Sequence, residues 1–439
     1  MTSEPKIQPA SEGRSQIPDG VQDRFLAEAV RRRRAEAALR ESFARWGYWE
    51  VIPPTFEYYD NLSVGAGPRL EQAMYRFFDR QGHTLALRAD FTPQVARIAA
   101  SKLYDQPMPL RCFYVGSLFR YEEPQAGRQR EFTQAGVELI GANTPAGDAE
   151  VVALAVAALE ALGMAGFQIN LGQMAFFRAL TRHFPQDLLA TIRQAIDHKN
   201  QSRLAAALVE VEDGRRALME RLPDLVGGVE VLDEAQTLCA RVKDAGPAMA
   251  ALERLASVYR RLEAYGVAER VILDLGEVRG MDYYTGITFR GVVPGLGWPL
   301  ISGGRYDDLI AQFGRPLAAV GFGLSVGRAL LVQDRAAVPP VTADVLVHGC
   351  QEGACMALVK ELRQHGCRVE VDVLGIEAAS LAAEARQRGI PRSLRCEVDG
   401  WILADEAGQR ALSRSALLAE ASAWRQERDA GTQREREEG

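Results

Sequence analysis

The sequence predicts an α+β protein: a sheet-centred domain flanked by helices and interrupted by a helical insertion, followed by a small α/β domain. Three observations carry this. Strand patterns lie on both sides of a helix-rich block at residues 172–268, a strand–loop–strand unit fills Arg111–Gly141, and a strand–helix rhythm begins after residue 343. With 439 residues, 47% of them hydrophobic and 25% charged, the chain can build more than one core.

Residues 1–16 are polar and read as a disordered tail. Pro18, Asp19 and Gly20 form a turn before a helix from Gln22 to Trp46, which Gly47 stops. The run Arg31–Arg34 falls mostly off the stripe of Leu26, Val30, Ala37 and Phe43, so it reads as a solvated helix face rather than a nucleic-acid signal. Tyr48–Thr55 (YWEVIPPT) is a short strand ended by two prolines, which cannot donate to a ladder. Tyr75–Asp79 and Thr84–Arg88 form a hairpin around Gln81 and Gly82, and a helix begins near Thr92 and Pro93. Arg88 and Asp90 therefore sit at a strand-to-helix junction, where amides can hold an anion and an acid can orient a cation. A helix cap with a surface ion pair is the plainer alternative.

In the central unit, Cys112–Tyr121 and Arg130–Ile140 are strands and Pro124–Gly127 supplies the turn. Arg120, Arg128 and Arg130 cluster by its loop, where guanidinium forks suit phosphate or carboxylate oxygens. Gln134, Gly136 and Glu138 recur at a spacing of two and share one face, an amide and a carboxylate fit for a small polar ligand. An ordinary surface hairpin with solvated arginines is the competing reading. Thr144 and Pro145 then start a buried helix through Val151–Phe167, too interrupted at Glu160 to span a membrane.

Beyond the insertion, strands return at Val271–Leu275, Thr285–Val293 and Leu300–Ser302. Between the first two, EVRGMDYYTG crowds Arg279, Asp282, Tyr283 and Tyr284 around glycines, offering stacking faces and hydroxyls. GGRYDDLI reads as a helix start at Tyr306 or Asp307. GFGLSVGRAL reads as a glycine-rich strand entering a helix, with Arg328 one turn inside. It fails as a dinucleotide fingerprint on glycine spacing, so its glycines are read as sites of close backbone approach. Residues 336–343 form a linker, residues 344–424 an α/β domain with a parallel sheet, and residues 425–439 a second disordered tail.

The net charge of −6 gives no chain-wide support for nucleic-acid binding, and residues 341–439 carry 13 basic against 17 acidic residues. The six cysteines form no CxxC pair and no signal peptide is evident, which favours reduced thiols in the cytoplasm. The five histidines lack metal-ligand spacing, and neither a GxSxG elbow nor a lysine-bearing phosphate loop is present. No metal and no cofactor is expected, and the commonest hydrolase and NTPase readings are removed.

Four ordered signatures then resemble the class II aminoacyl-tRNA synthetase catalytic domain, in its histidyl branch. YWEVIPPTFE is similar to the first motif of that class, FRYEEPQAGRQREFTQAGVE to the second and GFGLSVGRAL to the third, while RGMDYYTG resembles a histidyl signature. The resemblance covers about residues 17–335. It implies an antiparallel sheet carrying the site and a homodimeric core. It also implies that Asp90, Thr92, Gln134, Glu138, Tyr283 and Tyr284 surround a histidine-like ligand, with Arg279 beside its carboxylate. Arg120, Arg128 and Arg328 would be vestigial nucleotide contacts, Arg120 also touching the ligand pocket.

The chain departs from working synthetases in that LRPEGT reads LRADFT, FHQ reads FTQ, and Gly327 replaces an acid before Arg328. Together with LRADFTPQVARI and FRYEEPQAGRQREF, these changes resemble the synthetase paralogue that serves as regulatory subunit of ATP phosphoribosyltransferase. That resemblance implies a non-catalytic subunit assembling with a short-form catalytic partner for the first step of histidine biosynthesis, with histidine as a candidate feedback ligand. The C-terminal domain resembles a diverged anticodon-binding domain whose acidic balance argues against tRNA. The alternative is a divergent histidyl-tRNA synthetase, which Arg120, Arg279 and Arg328 favour.

Overall fold

In the computed structural model the described residues are 16–122, 129–278, 283–333, 343–349, 353–397 and 400–424. Arg128, Arg279, the turn at Pro124–Gly127, the linker through residue 342, and the tails at 1–15 and 425–439 lie outside them. The chain forms two compact units, one holding described residues 16–23 and 32–333, the other 24–31 and 343–424.

The first long helix is Leu26–Arg45, with Ala35, Leu39 and Phe43 buried at a spacing of four. Phe43 packs 5.6 Å from Phe113 and 6.1 Å from Phe322, so the stripe seats this helix on the sheet. Arg32 and Arg33 both pair with Glu36, at 2.9 and 2.7 Å.

Among the described residues the main sheet has nine strands. Their order is Trp49–Glu50, Leu110–Phe119, Glu131–Ile140, Ala319–Ser325, Ile301–Arg305, Ile287–Val292, Gln168–Gln173, Val271–Asp274 and Val226–Gly227. Pairing is antiparallel except where Trp49 meets Cys112 and where Ile169 meets Val271. The strand expected over Tyr48–Thr55 shrinks to two residues. Val51 still donates to the Phe113 carbonyl at 2.8 Å, but Pro53 and Pro54 have no N–H to continue the ladder.

Helix Pro145–Ala161 starts where the sequence places it, with Thr144 Oγ1 accepting from the Gly147 amide at 3.2 Å. Val151, Val152, Leu154, Ala155, Val156 and Leu159 are fully buried, as expected of a helix that is apolar all round. Its one buried charge is compensated. Asp148 accepts from Arg305 at 2.7 Å and Arg254 at 2.8 Å, while Arg305 also reaches Asp307 and the Ala142 carbonyl.

Residues 172–268 are mainly helical, including Gln186–Asp197, Glu230–Cys239 and Gly246–Ala264. A separate three-stranded sheet holds Phe56–Tyr58, Thr84–Leu87 and Arg76–Phe78, the last two forming the expected hairpin. One reading fails. Tyr306 and Asp307 do not start a helix, because Gly303, Gly304 and Arg305 belong to a strand, and only a 3-10 turn follows at Ile310–Phe313. A Cβ on Gly304 would stand 2.8 Å from the Ile287 carbonyl, so this glycine pair serves strand approach rather than a turn.

In the second unit the sheet order is Val369–Val371, Val345–Val347, Ser393–Glu397, Gly400–Asp405 and Gly408–Leu412. The parallel sheet expected here is mixed instead: the first three strands are parallel, and the last three antiparallel. Ser393–Glu397 (SLRCE) escaped the reading because it has no β-branched or aromatic residue. Cys112 and Cys239 are free thiols, but Cys355 is disulfide-bonded, against the expectation of reduced thiols. Pairing follows spatial proximity, which the CxxC test cannot see.

Candidate functional site

The even spacing on Glu131–Ile140 turns Glu138 toward the buried side of the hairpin, where it is 1% exposed. Three hydroxyls from separate elements surround its carboxyl group. Thr92 donates to Oε1 at 2.9 Å, Tyr114 to Oε1 at 3.4 Å and Tyr306 to Oε2 at 2.5 Å. Burial pushes the Glu138 carboxyl up to about 8, outweighing the hydrogen bonds from Tyr306 and Thr92 that favour its charged form. It is therefore a proton holder at neutral pH.

The neighbouring strand leaves room for it. Gly321 lies directly opposite Glu138 in the ladder, and a Cβ there would stand 1.8 Å from Oε2. Gly323 does the same for Gln134, whose Nε2 would be 2.5 Å from an added Cβ. The glycines of GFGLSV thus serve close approach. Gln134 Oε1 is buried and has no hydrogen-bond partner among the described residues, an acceptor aligned with no donor.

Asp90 and Thr92 come from the entry to helix Thr92–Ser101 and are both buried. Asp90 accepts from the Thr92 amide at 3.3 Å and the Tyr283 hydroxyl at 3.4 Å. Burial raises its carboxyl above the usual range, opposed by the positive charge of Arg120. Arg120 donates to the Ala89 carbonyl at 2.9 Å and lies 5.2 Å from the Phe132 ring centroid. Tyr283 stands edge-on to Tyr284 at 5.1 Å and to Tyr306 at 5.7 Å. Burial raises all three phenols, so they remain hydroxyl donors.

The structure thus brings together Asp90, Thr92, Glu138, Tyr283 and Tyr284, with Arg120 beside Asp90 and Gln134 on the Glu138 face. Arg328 stands apart from these contacts, donating to the Pro299 carbonyl at 3.0 Å. Arg88 is buried and forms no surface ion pair among the described residues. It donates to the Ser117 carbonyl at 2.6 Å and the Pro53 carbonyl at 2.9 Å. Tyr114 and Tyr306 were missed. Tyr114 had a legible signal, since it alternates with Cys112 along a strand, whereas Tyr306 was hidden by the helix reading of GGRYDD. Among the described residues no group of three or more His, Cys, Asp or Glu side chains is placed to hold a metal ion. The chemistry on offer is hydrogen-bonding recognition: acids and an amide acceptor for an ammonium group, with a proton-bearing carboxyl and phenols for a ring nitrogen.

The chain matches the histidyl-tRNA synthetase family model over residues 20–329. It is 44% identical over 393 residues to the ATP phosphoribosyltransferase regulatory subunit of Symbiobacterium thermophilum, covering 87% of this chain and 97% of that one. With the corresponding subunit of Moorella thermoacetica it is 42% identical over 379 residues, covering 85% and 96%. A solved ATP phosphoribosyltransferase regulatory subunit/histidyl-tRNA synthetase from Bacillus halodurans superposes with a TM-score of 0.77 at 29% identity, covering 87% of this chain and 98% of that one. A Nostoc histidyl-tRNA synthetase gives 0.76 at 21% identity over 93% and 99%, a likeness of fold alone. By sequence and by fold, the chain belongs to the family of ATP phosphoribosyltransferase regulatory subunits, which share the histidyl-tRNA synthetase architecture.

Proposed function

We propose that this chain regulates an ATP phosphoribosyltransferase without catalysing that reaction itself, and that its Glu138 pocket takes histidine as the feedback ligand. The catalytic work would belong to a separate short-form subunit joining ATP to phosphoribosyl pyrophosphate. The observation that carries the ligand reading is the set of Glu138, Asp90 and the unpartnered Gln134 Oε1 around one buried site. Asp90 and Gln134 suit an ammonium group, and a protonated Glu138 can donate to a bare imidazole nitrogen. A bound ligand can favour one arrangement of the complex only through a difference in affinity for two states, which such a site supplies.

The absence of catalysis is supported by the departures at Asp90, Phe91, Thr133 and Gly327, and by the arginines. Arg120 and Arg328 each commit a donor to a backbone carbonyl of the chain itself. Retention of these two arginines, together with Arg279, is also what favours the rival, a divergent histidyl-tRNA synthetase. We further assign the chain a homodimeric core within a larger hetero-oligomer, supported by the exposed apolar side chains of Trp49, Ile52, Phe56 and Phe78. The domain limits read from the sequence, with 344–424 as a diverged anticodon-binding domain that no longer binds tRNA, belong to the same proposal. No described helix is long and apolar enough to cross a membrane.

The experiment mixes purified chain with a short-form phosphoribosyltransferase and follows ATP–phosphoribosyl pyrophosphate condensation with and without histidine. Activation on mixing, suppressed by histidine, and no histidine-dependent ATP–pyrophosphate exchange by the chain alone is the expected result. Robust exchange by the chain alone would make it a synthetase.

A further inference from the structure

Phe91 lies between the two pocket residues Asp90 and Thr92, yet its own side chain points into the core and is 1% exposed. Its ring stacks on Tyr114 at 4.3 Å between centroids and 19° between planes. The guanidinium carbon of Arg88 lies 4.5 Å from the same ring centroid. Two face-on partners cannot share one face of a ring, so Phe91 is sandwiched between guanidinium and phenol.

Neither neighbour is free to yield. Arg88 is fixed by the Ser117 and Pro53 carbonyls, and Tyr114 is 1% exposed, with its hydroxyl directed at Glu138. The surrounding backbone is cut to fit. A Cβ on Gly116 would stand 3.1 Å from Phe91 Cζ and 2.9 Å from Arg88 Nη2, and a Cβ on Gly136 would stand 2.4 Å from the Tyr114 hydroxyl. Gly116 and Gly136 therefore make space on adjacent strands, one for the Phe91 stack and one for the phenol that the stack orients.

We propose that Phe91 is a positioning residue of the pocket: wedged between Arg88 and Tyr114, it fixes the phenol against Glu138 and keeps water away from that carboxyl group. The inference rests on the reading of the Glu138 site as a ligand pocket, but it concerns how the site is held rather than what fills it. The groups acting on Glu138 are Asp90 and Thr92 from the helix entry, Tyr114 and Cys112 from the neighbouring strand, Tyr48 just ahead of the edge strand Trp49–Glu50, and Tyr306, Tyr283 and Tyr284 across the pocket. None of them is basic, so exclusion of water, helped by the negative charge of Asp90, is what holds the proton on Glu138.

The test is Phe91→Ala in the full chain, with Phe91→Leu keeping most of the apolar volume but no flat ring. Carbon-13 NMR of labelled glutamate carboxyls, assigned with Glu138→Gln, reads the Glu138 titration directly. Calorimetry with L-histidine reads the pocket. In Phe91→Ala the entry of water should outweigh the loss of the Tyr114 hydrogen bond, which by itself would raise the midpoint, so the Glu138 midpoint should fall by a unit or more and histidine affinity by about tenfold or more, with Phe91→Leu between the variant and the parent. Should Phe91→Ala fail to fold, a fall of the midpoint in Phe91→Leu carries the same conclusion. An unchanged midpoint in the folded variants, with only a lower melting temperature, overturns the proposal and leaves Phe91 a packing residue. If the parent chain binds no histidine but its Glu138 midpoint still falls on substitution, the positioning role stands and the ligand reading fails.

Discussion

Gly321 and Glu138 face each other across adjacent strands so closely that any side chain at the first position would occupy the space of the carboxylate at the second. The Val137 carbonyl, 2.4 Å from the same imagined Cβ, closes the alternative direction. Gly321→Ala should therefore destabilise the chain by about 1–3 kcal/mol through overpacking and displace the Glu138 carboxyl from its hydroxyl partners. Gly327→Ala is the contrast: nothing lies within 4 Å of its Cβ position and it sits in a helix, so a gain of about 0.5–1 kcal/mol is expected. Urea unfolding of the two variants checks both signs, and equal effects would show that space beside Glu138 is not limiting.

A carboxyl group raised by burial leaves a signature in the pH dependence of stability. The unfolded chain releases the Glu138 proton near the ordinary glutamate value of 4.5, whereas the folded chain holds it up to about 8. The folded state thus binds more protons in that window. The stabilisation is complete below the unfolded value and is lost as pH rises through the folded one. At roughly 1.4 kcal/mol per unit, the unfolding free energy should fall by on the order of 4 kcal/mol between pH 5 and pH 8 from this group. Glu138→Gln should flatten that slope. Asp90, also raised by burial, should leave a residual slope of the same sign. Urea titrations at several pH values give the comparison, and parallel slopes for parent and variant would rule out Glu138 as the group responsible.

The recognisable parts of the site were those that depend on local period and local chemistry. Gln134, Gly136 and Glu138 share a face because side chains in a strand alternate, and Thr144 caps a helix because its hydroxyl reaches an amide three residues on. The helical character of 172–268 likewise follows from spacing within each segment. What stayed hidden depends on which distant strands become neighbours. Tyr306 meets Glu138 only because Ile301–Arg305 and Ala319–Ser325 pair, and Asp148 finds Arg305 157 residues further along the chain. The consecutive glycines at 303 and 304 signal a turn by composition, yet here they let a strand approach Tyr284 and the Ile287 carbonyl. Arg88 was read as part of a helix-entry junction or a surface ion pair because nothing local shows that three backbone carbonyls will surround it.

The apolar side chains left outside both cores carry the last prediction. Trp49 is 79% exposed and Ile52 83%, on one of the two two-residue edge strands of the large sheet and the segment that follows it. Phe56 and Phe78 add exposed aromatic surface from the three-stranded sheet, where Phe56 already packs edge-on to Phe77 at 5.7 Å. Isolated exposed apolar residues are ordinary, but several bulky ones within a short stretch, Trp49, Ile52 and Phe56, are what a surface covered by another chain presents. A second copy is the occupant that the homodimeric reading requires. Replacing Trp49 and Phe78 together with serine removes surface without touching a buried contact, so the monomer fold should persist, with unchanged far-ultraviolet circular dichroism. Sedimentation equilibrium should then show the parent as a dimer at micromolar concentration, and the double variant dissociating at least tenfold more readily. A parent that sediments as a monomer at those concentrations, or a variant that dimerises as tightly as the parent, would place the subunit contact elsewhere on the chain.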